Sequence, residues 1–291
     1  MVTAETRTAE WALRPLVEAA AGARAIRGGL LPESLHHRYG GDLSIGRGSR
    51  RPTVVANFVS TLDGVVSYNT SDAAGGGEIS GFFEPDRFVM GLLRALADVV
   101  LIGAGTLRAA PSGRWTPGSI HPPSASAYAA LRHELGLTPE PLTAVITASG
   151  QIDLSHPGLS DPRVPVLIVT TDVGQRALAG RARPDHVRLE AAGSARVDLT
   201  ELPELLRRRG ADLVLCEGGP LVMGQLLREG LVDELFLTLA PQIAGRSADS
   251  PRLALVEGTA FRYSDAPWAR LMDLRRCGDH LFARYRMEGR N

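Results

Sequence analysis

The sequence predicts an α/β fold built on a mixed, mostly parallel sheet that ends in a C-terminal antiparallel hairpin. Three observations predict it. Short apolar runs alternate with segments whose apolar residues recur every three or four positions, the pattern of strands covered on both faces by helices. Two of these runs, L-I-G-A-G-T-L-R (101–108) and L-V-L-C-E-G-G-P-L (213–221), stop abruptly at glycines. The final stretch, 270–286, reads as two strands around Cys277-Gly278-Asp279, which adds at least one antiparallel pair.

Taken in order, residues 1–50, with an Ala-rich patch from Glu18 to Ala25, form an N-terminal extension with one short helix, either draped on a main domain of residues 51–291 or partly mobile. The apolar, β-branched run T-V-V-A-N-F-V (53–59) is a strand. Glu84-Pro85-Asp86 starts a helix, with proline in its first turn, acids near its positive end, and Phe88, Leu92 and Leu96 along one stripe. Asp98 to Ile102 is a buried strand. Residues 111–126, rich in Pro and Ser, are a loop, and Ser124 to Leu135 is a helix with Tyr128, Leu131 and Leu135 on one face and Gly136 as its cap. Strands follow at 143–147, 164–170 and 186–190. Leu199 to Arg209 is a helix closed by Gly210, Asp212 to Cys216 a strand, Pro220 to Glu229 a helix ending at Gly230, and Asp233 to Ala240 a strand.

Composition narrows the function. Basic and acidic residues balance at 32 each, so no strongly basic face points to nucleic acid. Every basic residue other than histidine is arginine, which excludes a Schiff-base lysine, a lysine general base and a Walker A loop. Two cysteines are too few for a disulfide framework. No run approaches the roughly 18 apolar residues of a membrane span, and the polar N-terminus lacks the pattern of a signal peptide, so a cytoplasmic location is expected. The pair His36-His37 has no further ligands at metal spacing, and no metal is expected.

The glycine loops carry the chemistry. Ligands of open α/β sheets collect at the carboxyl ends of strands, where both loops lie. Gly103 and Gly105 remove the Cβ atoms that keep a ligand from the main chain, and the Thr106 hydroxyl adds a donor. Gly218-Gly219-Pro220 leads into a helix whose N-terminus offers unpaired N–H groups and partial positive charge to a phosphate. The plain alternative is that these glycines make tight strand-to-helix turns. Glu217, between a buried strand and the glycine pair, is a candidate for the pocket floor; its alternative is an acid placed for a helix dipole. Asp63 in S-T-L-D-G (60–64) is either catalytic or a turn residue that organises its own loop.

Three segments together resemble the reductase domain of bacterial riboflavin biosynthesis, and in particular its stand-alone pyrimidine reductases: A-N-F-V-S-T-L-D-G (56–64), L-L-R-A-L-A-D-V-V-L-I-G-A-G-T (92–106) and L-C-E-G-G-P-L-V-M-G-Q-L-L-R-E-G-L-V-D-E-L-F-L-T-L-A-P (215–241). The resemblance runs over residues 52–286. It implies a dihydrofolate-reductase-like three-layer αβα sandwich and a homodimeric, NADPH-dependent reductase that converts the ribosyl group of a phosphoribosylamino-pyrimidine to ribityl. By position it implies that Thr106 and Ser149 contact NADPH, that Gly219, Pro220, Leu221, Val222, Met223, Gly224 and Gln225 wrap its phosphates, and that Ser60 lies near the nicotinamide. It also places Glu217 and Arg94 on the substrate, Arg94 holding a phosphate as a two-pronged donor.

This chain departs from the family pattern on the substrate side. Val65 stands where a basic residue often follows S-L-D-G, and Ala110 where an Asp is common. The zinc-ligand motifs of the deaminase that often precedes this reductase are absent from these 291 residues, so deamination is not expected. Glu217 is the candidate for polarising or protonating the hydride acceptor, with Asp63 second. Two other readings stay open. One is a dihydropterin, dihydrofolate or secondary-pathway reductase on the same scaffold; the other is a nucleotide-binding protein without catalysis. Arg108, Arg114 and Arg176 are the candidates for a 2′-phosphate.

Overall fold

A computed structural model of the chain describes residues 11–18, 25–46 and 51–288. Its strands are β1 (Arg14–Glu18), β2 (Ala25–Gly29), β3 (Leu43–Gly46), β4 (Thr53–Ser60), β5 (Val65–Ser67), β6 (Val99–Gly103), β7 (Leu142–Thr147), β8 (Val166–Thr170), β9 (Val187–Ala191), β10 (Leu213–Cys216), β11 (Glu234–Leu239), β12 (Leu253–Ala254), β13 (Ala269–Cys277) and β14 (His280–Met287). Ten of them form one sheet in the order β1-β13-β14-β11-β4-β10-β6-β7-β8-β9. From β11 to β9 every pairing is parallel. The antiparallel pairings sit at the other side, where the β13–β14 hairpin turns at Gly278 and pairs with β11 and β1.

Strand alternation sends side chains to two separate cores, as a sheet buried on both faces requires. On one face Val55, Val100, Ile102, Val145, Leu213 and Leu215 pack against Phe88, Leu92 and Leu96 of the helix Glu84–Leu96. On the other, Val54, Ala56, Leu101, Ala144, Val214 and Cys216 meet Leu202, Leu205 and Leu206 of Leu202–Arg207 and Val222, Met223 and Leu226 of Pro220–Arg228. The result is the expected three-layer arrangement. Tyr128, on the helix Ala125–Glu134, is fully buried and donates 2.8 Å to the Phe88 carbonyl, which ties two helices of one layer together.

The N-terminal segment differs from the expectation of an extension lying on the main domain. Residues 19–24 of the Ala-rich patch lie outside the described residues, and its two ends belong to β1 and β2. The short helix lies at Glu33–Tyr39, stopped by Gly40 in the left-handed region (φ 77°), where a Cβ would strike the Leu13 carbonyl. β1 forms the edge of the large sheet on β13. Leu13, Leu35, Tyr39, Leu43 and Ile45 are buried in the same core as Phe88. The segment is therefore woven into the fold. The Pro/Ser-rich loop 111–126 also contains more structure than expected, a helical turn at Pro117–Ile120 and a 3-10 turn at Pro122–Ser124.

Candidate active site

Seven parallel strands, β11-β4-β10-β6-β7-β8-β9, end on one edge of the sheet, so their C-terminal loops collect there. β10 lies between β4 and β6, and the Glu217 N–H continues its ladder by donating 3.0 Å to Leu101 O. The two glycine loops are thereby neighbours. Gly218 lies so close on β6 that a Cβ would sit 2.6 Å from the Gly103 nitrogen. Gly219, at φ 34° and ψ 148°, ends the turn into Pro220–Arg228, and a Cβ on it would come 3.3 Å from Thr106 Oγ1. Gly105 is exposed, with nothing within 4 Å of the place its Cβ would occupy. The glycines divide by contact: Gly218 is a packing glycine, Gly219 sits tightly beside the Thr106 hydroxyl, and Gly105 faces open space.

The expected wrap from Gly219 to Gln225 is narrower than the resemblance implies. Leu221 is exposed, but Val222 and Met223 are buried in the core, and Gly224 packs on Glu257 O and Thr259. The Val222 and Met223 N–H groups donate back to the Gly219 carbonyl at 3.0 and 3.1 Å. Pro220 is buried and has no N–H to offer. Gly103 lies 3.1 Å, at its Cβ position, from the Val222 side chain and so serves packing as well. Along the same edge Ser60, buried, ends β4, and Ser149, exposed, follows β7, its hydroxyl accepting from the Gln151 N–H at 3.3 Å. Ser60, Gly219, Gly105 with Thr106, and Ser149 thus lie at the ends of four consecutive strands, a span of roughly 15 Å at the usual strand spacing.

Glu217 and Arg94 are brought together, but on each other. Arg94 Nε donates 2.9 Å to Glu217 Oε1 and Nη2 donates 2.6 Å to Oε2, a two-pronged pair whose side chains are 4% and 5% exposed. Arg94 Nη1 donates to the carbonyls of Arg114 and Thr116 at 3.1 and 3.2 Å. The fork expected to hold a phosphate is spent on Glu217 and on the loop that covers it, which corrects that reading of Arg94. Asp63 is likewise occupied. It accepts from Thr61 Oγ1 at 2.6 Å, Ala244 N at 3.1 Å and Gly245 N at 2.6 Å. The Thr61 hydroxyl first, then the Ala244 N–H, hold its carboxyl down at about 2. An acid that stays ionised and staples two loops matches the loop organiser, not the proton donor.

Val65 is buried in β5, and Ala110 is half-buried with its carbonyl 2.9 Å from His156 Nε2. Of the arginines weighed for a 2′-phosphate, Arg114 faces Asp161 at 3.8 Å, while Arg108 and Arg176 are exposed. Sequence reasoning missed Asp86. It was read only as an acid at a helix start, yet its carboxyl is buried against β11 and pushed up to about 6 by that burial, which outweighs hydrogen bonds from Thr238 and Ser80; the nearby Glu217 adds to the rise. It also missed a cleft of about 450 Å³ between residues 68–78 and 247–252, which no local pattern marks because its walls come from segments some 180 positions apart in the chain.

Fold and site together define an α/β protein with two glycine loops on neighbouring strand ends of a mostly parallel sheet. The sequence profile of the RibD C-terminal domain matches residues 52–281, and the chain belongs to that family. It is 29% identical over 242 residues to the 2,5-diamino-6-ribosylamino-4(3H)-pyrimidinone 5′-phosphate reductase of Methanothermobacter thermautotrophicus, covering 82% of this chain and 100% of that one. Against the protein of the same name from Archaeoglobus fulgidus the identity is 26% over 211 residues, 72% of this chain and 89% of the other. Among solved structures, a pyrimidine reductase-like protein from Corynebacterium diphtheriae superposes with a TM-score of 0.62 at 22% identity, covering 81% of this chain and 92% of that one, a likeness of fold.

Proposed function

We propose that the protein is an NADPH-dependent reductase that converts the ribosyl group of a phosphorylated ribosylaminopyrimidine to ribityl. The observation that carries this reading is the pair of glycine loops on adjacent strands, with main chain left bare at Gly105 and Gly219 beside the Thr106 hydroxyl. A Cβ at either glycine would intrude on the space a diphosphate needs, so the cradle fits a dinucleotide. The bound cofactor would supply a hydride from its nicotinamide ring. Ser60, Thr106 and Ser149 would lie along it, with the adenosine end towards β7 and Arg108 or Arg176 at the 2′-phosphate.

The net change breaks the bond between C1′ and the ribose ring oxygen, forms a C1′–H bond and gives the ring oxygen a proton. This chain's part is to place C1′ and manage the charge. Glu217, held by Arg94 on both carboxylate oxygens, is the substrate-side candidate at the end of β10, and Arg94 acts through Glu217. The names of the two archaeal relatives and the family membership support the pyrimidine class. Residues 51–291 are taken as the reductase unit, with β1 of the N-terminal segment paired to its sheet. A cytoplasmic homodimer belongs to the same proposal. The expected dimer strand Leu235-Phe236-Leu237 is mostly ordinary core, whereas Leu16, Val17, Trp268 and Leu271 leave apolar surface exposed on and beside β1 and β13. Among the described residues no helix is long and apolar enough to cross a membrane.

The test is NADPH oxidation with 2,5-diamino-6-ribosylamino-4(3H)-pyrimidinone 5′-phosphate and with its aminouracil counterpart, the product identified by mass as the substrate plus two hydrogens. Turnover of either is expected. Turnover of dihydropterins or dihydrofolate alone would move the protein to the other reductase reading, and NADPH binding without turnover of any of these would leave a nucleotide-binding protein.

A further inference from the structure

The segment that covers Glu217 runs along the helix Glu84–Leu96 and is held at both of its ends. Near the C-terminal end of that helix, Arg94 Nη1 reaches the carbonyls of Arg114 and Thr116. Ser119 Oγ donates to the same two carbonyls at 2.8 and 2.9 Å, so the turn Pro117–Ile120 is tied to the acceptors that hold Arg94. At the helix start, about 15 Å away along the axis, Glu84 Oε1 meets His121 Nε2 at 3.2 Å. Residues 114–121 thus form a cover strapped to one helix, with the Arg94–Glu217 pair at one end and His121 at the other.

The N-terminal segment touches this cover at His121, which is 2% exposed. The rings of Trp11, Phe88 and Tyr128 stand around it edge to face, at 6.3, 5.6 and 6.3 Å. Trp11 also meets Phe88 at 5.3 Å, and Arg38 lays its guanidinium 4.8 Å over the Trp11 ring. The Leu13 N–H donates 2.8 Å to the Arg38 carbonyl, which joins the two parts of the segment. His121 Nδ1 is buried with no partner among the described residues, so Nε2 carries the proton of a neutral ring and donates to Glu84. One hydrogen bond and three aromatic neighbours hold that ring in place. One of the three, Trp11, comes from outside residues 52–281, the part of the chain that matches the family profile.

We infer that the N-terminal segment positions the substrate side of the site: Trp11, backed by Arg38, fixes His121, and His121 fixes the cover whose carbonyls hold Arg94 on Glu217. Trp11 and His121 act through Arg94 and are positioning residues. The inference rests on the reductase reading only for what the cover serves. Without Trp11 one side of the His121 ring is free, the cover 114–121 opens more often, and Arg94 loses the two carbonyls that orient it. The Glu217 carboxylate then follows a partner that moves.

The experiment is hydrogen exchange by mass spectrometry on the intact chain, well below its melting temperature, for wild type, Trp11→Ala, Trp11→Phe, His121→Ala and the double variant of the two alanine changes. Expected is exchange about tenfold faster over 111–124 in both alanine variants with β6 to β8 unchanged, wild-type exchange in Trp11→Phe, and a double variant no faster than His121→Ala alone. In the NADPH oxidation assay Trp11→Ala should lose at least tenfold in kcat/KM for the pyrimidine phosphate and keep its NADPH affinity. Unchanged exchange over 111–124 in Trp11→Ala, additive effects in the double variant, faster exchange spread evenly over the sheet, or wild-type turnover by Trp11→Ala would each overturn the inference. Should Trp11→Ala not fold, Trp11→Leu, which keeps apolar bulk and removes the ring edge, carries the same expectations. The two readings fail separately. Faster exchange over 111–124 in a protein whose wild type turns nothing over removes the reductase and keeps the hold of Trp11 on the cover, whereas turnover with exchange insensitive to Trp11 keeps the reductase and removes the hold.

Discussion

Replacing Arg94 by glutamine would leave the Glu217 carboxylate buried without its partner, and breaking a buried pair in this way costs about 3–5 kcal/mol. Both side chains are nearly inaccessible, so solvent does little to screen the loss. We predict that Arg94→Gln lowers unfolding free energy in urea by that amount and that adding Glu217→Gln restores part of it. A double variant as unstable as the sum of the two singles would show that the pair is not coupled. Asp86 carries a pH prediction. Its carboxyl titrates near 3.8 when unfolded and about 6 when folded, because burial disfavours the charge. Between those values the native state keeps a proton that the unfolded chain releases, so this group's contribution falls as pH rises from about 4 to 6 and is flat outside that window. Asp86→Asn should remove the fall, seen as a gain over wild type that grows across the window in unfolding measurements at several pH values. A constant offset would contradict it. Neither residue's state was legible in the sequence. Arg94 was found but given the wrong partner, since the fork of an arginine looks the same whether phosphate or carboxylate fills it. Asp86 looked like any first-turn acid, because nothing near it in the chain tells of the β11 strand that buries it.

At the level of elements, the chain's local signals reached far. The strands around 53–59, 98–102, 143–147 and 212–216 and the helices from Glu84 and Pro220 were legible because a continuous apolar run, a proline at the first turn and a closing glycine are local chemistry. The helix Ala104–Ala109 was not. Its glycines suggested a bare loop, and only its packing beside β6 and β7 makes a helix of it. The paired strands β5 and β12 were too short to signal themselves. The glycines divide by contact. Gly218→Ala would drive a methyl group into the β6 main chain, and overpacking of this kind costs about 1–3 kcal/mol. Gly105→Ala meets nothing and replaces a poor helix former by the best one. Chemical denaturation should show the first variant destabilised and the second at least as stable as wild type. Equal losses would mean that the two loops are not arranged as described.

The whole molecule brings together what the chain keeps apart. β4 and β10, some 160 positions distant, lie side by side, and so the glycine loops and the stapled loops at Asp63 share one edge. Strand order of this kind is set by which faces bury together and cannot be read from local pattern, just as the edge strand β1 and the buried Leu13 and Leu35 were hidden in a segment whose composition suggested an appendage. The proposed function depends on that edge gripping a dinucleotide through main chain. The most direct measurement is calorimetric titration of NADPH into wild type and Gly105→Val, a position where an added Cβ meets nothing within 4 Å. Wild type should bind, and the variant should lose at least tenfold in affinity with its melting temperature unchanged. Equal binding by the two proteins, or none by wild type, would contradict the account.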